Sequence, residues 1–334
     1  MQVSVICPVF NSDPLLLSAA VRTVLDQAGS HEIELILVDD GSTNQETHKF
    51  LAAISDGDRR VKVLLQQENG GPGQARTAGI SSANFNWIGF IDSDDLWPPN
   101  KLQKAGEALQ KAPDTRWIGG RHNILSIDGR QHTSPPLTEI CKSSQSLNAN
   151  SCKLSKPDLT KALINRMPPL GTSLLRKDLF VAAGGFDPRL RYGEDWLLYL
   201  RLSNMEDLEF FEETTYILRR QRSSMMWSSG RMSAQFALSA CLARRDPALR
   251  HIKPELRWFH YNNYKDIAMN NALNGKKIKG LLFALHALSV DPREIKELLI
   301  YAGALVSKDK TLSEKLKYYS SANQVILADI SGTS

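Results

Sequence analysis

The stretch "WIGFIDSDDLWPP", residues 87–99, runs from an apolar segment straight into three carboxylates, Asp92, Asp94 and Asp95. Like charges this close raise one another's cost unless a cation sits among them. The apolar run, closed by acids and prolines, reads as a buried strand whose carboxyl end carries the charge.

The same shape recurs upstream. "VSVICPVF" (3–10), "IELILVDDGS" (33–42) and "VKVLLQQ" (61–67) read as strands, while "PLLLSAAVRTVLDQ" (14–27) and "ETHKFLAAIS" (46–55) read as helices and "GPGQARTAGISSA" (71–83) as a loop entering a helix. Near-continuous Val/Ile/Leu strands separated by helices mean a mostly parallel sheet covered on both faces, an α/β fold. Asp39 and Asp40 close the second strand as Asp92, Asp94 and Asp95 close the fourth. In open parallel sheets that edge is where ligands bind.

The chain's 334 residues suffice for one such domain plus an appendage. With 42% hydrophobic and 23% charged residues it has the composition of a soluble globular protein, so a packed core is expected. A net charge of +5 without a long Lys/Arg run gives no reason to expect a nucleic-acid partner. The start "MQVSVICPVF" lacks the basic and apolar regions of a signal peptide, and "GLLFALHAL" and "LLIYAGALV" are about half a bilayer span, so a cytoplasmic location is the default expectation. Cys7, Cys141, Cys152 and Cys241 lie far apart, which suggests neither a zinc site nor a disulfide framework.

Residues 113–170 are poorer in pattern. "RWIGGRHNILSIDGRQH" reads as a hairpin turning at Asp128 and Gly129, followed by a polar connection. "GTSLLRKDLFVAAGGFDPRL" then reads as a helix with a Gly-Gly stop, and "EDWLLYLRLSN" as a helix opened by acids. From about Ser233 the pattern is helical, with two helices joined at "SVDP". The expected division is 1–228 for the α/β domain and 229–334 for a helical C-terminal region.

Asp92, Asp94 and Asp95 have the chemistry of a site for a hard divalent cation, which takes one or two protein carboxylates and fills its remaining positions with water and substrate phosphates. The competing reading is a set of helix N-caps before "WPPNKL". In "NGGPGQAR" (69–76) the glycines allow close backbone approach, and Arg76 offers a planar fork suited to phosphate oxygens; a surface turn is the alternative. No dinucleotide or P-loop fingerprint is present.

Taken in order, "VSVICPVFN", "LILVDDGSTN", "NGGPGQARTAGI", "WIGFIDSDD", "GTSLLRKDLFVAAGGFD" and "YGEDWLLYLRL" resemble the family 2 glycosyltransferases, inverting enzymes of the GT-A fold, over about residues 1–225. The resemblance implies a Rossmann-like sheet and transfer of a sugar from a nucleotide diphosphate donor, UDP-linked, to a glycan or lipid-linked acceptor. It implies that Pro8, Val9 and Asn11 line the nucleotide pocket and that Asp40 receives the base edge. Gly71 and Arg76 would lie beside the diphosphate, and Asp92, Ser93 and Asp94 match the D-x-D motif. Asp94 and Asp95 would hold a Mn or Mg ion, which would be the cation among the carboxylates, and Asp195 matches the catalytic base with Glu194 beside it. Two departures stand out: Gln221 where the family often has His, and Thr77 where Asn commonly follows the arginine. The absence of Q-x-x-R-W favours single addition over polymerisation. A non-catalytic nucleotide-sugar-binding or assembly protein of the same fold is the competing function. For the C-terminal region, "NGKKIKG" beside an apolar run suits peripheral contact with the inner face of an anionic membrane, against a cap on the catalytic domain or a homodimer contact.

Overall fold

The computed structural model describes residues 1–290 apart from 143, 148–150, 221–228 and 274–276. Its contacts separate two compact units, Met1–Arg222 and Ser223–Ser334. The expected boundary at 228 falls outside the described residues.

The first unit begins with β1 (Gln2–Val9), α1 (Pro14–Leu25), β2 (Glu32–Asp39), α2 (Gln45–Gly57), β3 (Val61–Leu65), α3 (Pro72–Ser81), β4 (Trp87–Phe90) and α4 (Lys101–Lys111). It continues with β5 (Trp117–Leu125), β6 (Gln131–Thr133), β7 (Gln145–Ser146), β8 (Ser151–Leu154), α5 (Asp158–Asn165), β9 (Leu174–Arg176), α6 (Lys177–Ala182), α7 (Glu194–Met205) and β10 (Leu208–Arg219). The strands form one sheet in the order β3-β2-β1-β4-β9-β5-β10-β8-β7, with β6 paired to β5. The β3-β2-β1-β4 half is parallel. β9 then runs antiparallel to both β4 and β5, and β10 is parallel to β5.

Local chemistry accounts for these elements. Asp13 caps α1, its carboxylate accepting the Leu15 amide at 2.8 Å, with Pro14 at the first helical position. Leu17, Ala20, Val21 and Val24 recur at helical spacing and are buried. Burying a Leu or Val side chain is worth roughly 1.5–3 kcal/mol, so this stripe fixes which face of α1 meets the sheet. α3 packs its backbone unusually close: a Cβ on Gly79 would lie 2.5 Å from Ile6 Cγ2. Glycine at that position lets α3 settle on β1 and β2 and brings its first turn to the sheet's carboxyl edge.

The hairpin β5–β6 forms with Gly129 in the left-handed region, as the turn chemistry predicts. The connection after it is not structureless: β8 pairs antiparallel with β10, and α5 follows. "LLR", read as part of a helix, is instead the strand β9. The N-cap reading of the acidic cluster also fails, because α4 starts at Lys101 with Asn100 as its cap residue.

The second unit contains α8 (Ser229–Arg245), a 3-10 turn at Pro247–Ile252, α9 (Lys253–Leu273) and α10 (Lys277–Val290). Tyr261, Ala268, Ala284 and Ala287 are buried between α9 and α10. Leu281, Leu282 and Leu285 are exposed on α10. The helix expected after "SVDP" lies outside the described residues. Among the described residues no helix is long and apolar enough to cross a membrane.

Candidate active site

At the carboxyl edge the loops after β1, β2 and β4 are tied to one another. Asn11 adopts a left-handed conformation (φ 48°), and its side-chain oxygen accepts the amides of Thr43 at 2.7 Å and Asn44 at 2.9 Å. Ser12 Oγ donates to Ser93 Oγ at 2.7 Å, linking the first loop to the acidic one. The Asp40 carboxylate accepts the amides of Gly70 at 2.9 Å and Gly71 at 2.8 Å, so it holds the glycine loop at the start of α3. Burial raises its pKa, partly offset by those two donors. Val9 is fully buried in the sheet's core, while Pro8 is half-buried and Phe10, which sequence reasoning passed over, is half-exposed. Val9 therefore meets a ligand through its backbone at most.

One cation among the carboxylates is Arg76. Only 6% of the residue is exposed; its Nη2 donates to Asp92 Oδ1 at 2.7 Å and its Nη1 to Glu194 Oε1 at 2.8 Å. The guanidinium expected beside a diphosphate thus has both terminal nitrogens bonded to carboxylates, while its buried Nε has no partner among the described residues. Burial opposes its charge, but the carboxylates of Asp92 and Glu194 prevail and raise its pKa further. The first turn of α3 presses against that of α7: a Cβ on Gly73 would come within 3.0 Å of Glu194 Cγ.

Glu194 and Asp195 open α7 after Gly193, which takes a left-handed conformation (φ 75°). Burial, and then the neighbouring charge of Asp195, pushes Glu194 up to about 7 against the pull of Arg76. Asp195 is also raised by burial, and its Oδ1 accepts the Trp196 amide at 2.8 Å. It retains partial exposure.

The three acids after β4 have different surroundings. Asp92 is bound to Arg76. Asp95, which the sequence pairs with Asp94, instead faces inward: it is 4% exposed, with Oδ2 accepting from the Tyr216 hydroxyl and Oδ1 from the Arg219 amide, both at 2.7 Å. Asp94 is half-buried, and among the described residues no other side chain donates to its carboxylate; burial and the charge of Asp92 raise it to about 6. Among the described residues no cluster of three or more His, Cys, Asp or Glu could enclose a metal. One open carboxylate suits an ion that brings its other oxygen ligands with a phosphate, not one held in a protein cage. Gln221 lies outside the described residues.

Tyr216 and Arg219 were missed by the sequence reading. Their signal, an aromatic residue and an arginine late in an apolar run, is generic.

Residues 4–167 match the family described as Glycosyl transferase family 2. The chain belongs to glycosyl transferase family 2. It is 26% identical over 224 residues to the glycosyltransferase GlyG of Streptococcus pneumoniae, covering 67% of this chain and 72% of that one. It is 37% identical over 127 residues to a putative teichuronic acid biosynthesis glycosyltransferase of Bacillus subtilis, covering 38% of this chain and 49% of the relative. It spans about half of that relative's length. Among solved structures, residues 1–349 of TarS from S. aureus, in complex with UDP-GlcNAc, align with a TM-score of 0.65 at 18% identity, covering 97% of this chain and 92% of that one. The fold of this glycosyltransferase is therefore GT-A, mixed α/β with a mostly parallel central sheet.

Proposed function

We propose that this glycosyltransferase moves a sugar from a UDP-linked donor to a hydroxyl of a glycan or lipid-linked acceptor, inverting the anomeric centre and adding one sugar per reaction. The observation that carries the reading is the sorting of five carboxylates at the sheet edge. Arg76 claims Glu194 and one oxygen of Asp92, and Asp95 is bound inward, which leaves Asp94, Asp195 and the half-exposed Asp92 as the acids able to meet a substrate.

In this reading Asp195 takes the proton of the acceptor hydroxyl as the new glycosidic bond forms on the face opposite the leaving diphosphate. Its raised pKa suits that work, because a base whose pKa lies nearer the working pH accepts a proton more readily. Asp40 and the amides of the glycine loop border the side where the nucleotide would lie, with Asn11 and Phe10 at the end of β1. Asp94 would hold a divalent Mn or Mg ion, which when bound offsets charge gathering on the departing diphosphate. Arg76 fixes the distance between the donor side at Asp92 and the acceptor side at Glu194, and its burial excludes water from between them.

A cell-envelope polysaccharide acceptor is supported by the teichuronic acid relative, and a UDP donor by the TarS complex with UDP-GlcNAc. The exposed leucines of α10 support contact with a membrane carrying lipid-linked acceptors, testable by cosedimentation with anionic vesicles.

The deciding experiment incubates the protein with a panel of nucleotide sugars and Mn²⁺, following thermal shift and UDP release. A bound donor at about a hundredfold its Kd stabilises by about 2.7 kcal/mol. Stabilisation by a UDP-sugar with Mn²⁺-dependent release of UDP supports the proposal. Binding without any release, across acceptors, would leave a binding module in its place.

A further inference from the structure

We propose that Tyr216 is a positioning residue: its hydroxyl clamps both ends of the acidic turn from behind, and this clamp sets Asp94 toward the donor side. The proposal rests on the functional reading above for what Asp94 meets, but the clamp itself is a property of the free protein.

The turn is short and held at several points. The Asp95 amide donates to the Asp92 carbonyl at 3.1 Å, which closes it. The Tyr216 hydroxyl accepts the Asp92 amide at 3.2 Å and donates to Asp95 Oδ2 at 2.7 Å, so one oxygen bridges the first and last residues. The Arg219 amide donates to Asp95 Oδ1 at 2.7 Å, its Nε donates to the Asp94 carbonyl, and its Nη2 reaches the Leu16 carbonyl on α1 at 2.8 Å. Leu96 and Ile217 exchange backbone hydrogen bonds of 3.0 and 2.9 Å immediately beyond. Every one of these bonds leaves the Asp94 carboxylate unused.

The ring that carries the hydroxyl cannot wander. Tyr216 is fully buried, and Gly171 lies so close that a Cβ there would fall 2.0 Å from ring atom Cε2. The Lys101 ammonium lies 5.9 Å from the same ring. The register of β10 against β5 shifts between Phe211 and Thr214 and again between Thr214 and Tyr216. Such irregularities re-aim side chains near functional sites; here they come immediately before the residue whose hydroxyl supports the turn. If Tyr216 only filled the core, its ring would suffice and its oxygen would be dispensable.

Tyr216→Phe keeps the ring and removes that oxygen. Hydrogen exchange of the segment around residues 88–97 in the ligand-free protein should accelerate about tenfold at the Asp92 amide, the cost of one hydrogen bond. UDP affinity should fall about tenfold in the presence of Mn²⁺ and stay unchanged without it, because only Asp94 is misdirected. Asp95→Asn, which leaves the tyrosine in place, should reproduce both effects, and the double variant should be no worse than the stronger single. Unchanged exchange and unchanged Mn²⁺-dependent affinity in Tyr216→Phe would reduce the residue to packing. Loss of the Mn²⁺ increment altogether in Asp95→Asn, with Tyr216→Phe unaffected, would make Asp95 a ligand and overturn the clamp. If the wild type binds no UDP under either condition, the functional reading fails, while the exchange measurement still decides the clamp.

Discussion

Glu194→Gln reads the buried charge cluster most directly. Glu194 is 5% exposed, and burial with the charge of Asp195 holds its carboxyl at about 7, against a reference value of 4.5. An acid held above its unfolded pKa keeps its proton longer in the folded chain. The associated stability is therefore fully present below about pH 4.5 and is lost as pH rises through about 7. Each pH unit in that window removes about 1.4 kcal/mol, so this carboxyl withdraws roughly 3 kcal/mol in all.

Gln has the same shape and cannot titrate. At the acid end both chains carry a neutral group beside Arg76 and should differ by no more than about 1 kcal/mol. At about pH 8 the variant should be the more stable by roughly 3 kcal/mol, a gain at a candidate active site of the kind expected where function holds a charge in an unfavourable place. Urea unfolding of the metal-free protein from about pH 5 to about pH 8 gives the two curves. A variant less stable than wild type at the alkaline end would mean that attraction from Arg76 outweighs burial and that Glu194 is held ionised. The argument for a strained acid would then be refuted.

The companion substitution, Arg76→Gln, strips the cation from two carboxylates and should cost roughly 3–5 kcal/mol at about pH 8, where Glu194 is ionised in the wild type, with part recovered below about pH 7 as Glu194 takes up a proton; thermal unfolding across pH measures it. Asp195→Asn should lower transfer by roughly two to four orders of magnitude while UDP affinity holds, as seen by product release alongside calorimetry. Asp94→Asn should erase the Mn²⁺-dependent part of UDP affinity without lowering stability, since its carboxylate makes no hydrogen bond with another side chain among the described residues, and above about pH 6 relief from burial and the charge of Asp92 should make the metal-free variant the more stable. Gly79→Ala should destabilise by about 1–3 kcal/mol through the collision with Ile6, a purely structural control away from the charges.

The sheet was legible because a parallel strand buried on both faces must be apolar along its length, as "VSVICPV" and "LILV" are. β9 was not, because three residues carry no periodicity, and "LLR" beside a helical pattern is absorbed into it. β10 was hidden by its own irregularity: Glu212 and Glu213 interrupt the apolar run where the register shifts. The same distinction between local and distant causes governs the site. Two aspartates that are neighbours in sequence give no local sign of which faces a ligand. The answer for Asp95 comes from Tyr216, 121 residues downstream, and the partner of Arg76 at Glu194 lies 118 residues away. An activity assay alone would inherit this ambiguity, since removing either Asp94 or Asp95 would depress turnover. Only a measurement that separates holding the ion from holding the turn, the Mn²⁺ dependence of UDP affinity set beside amide exchange, can tell a ligand from the residue that aims it.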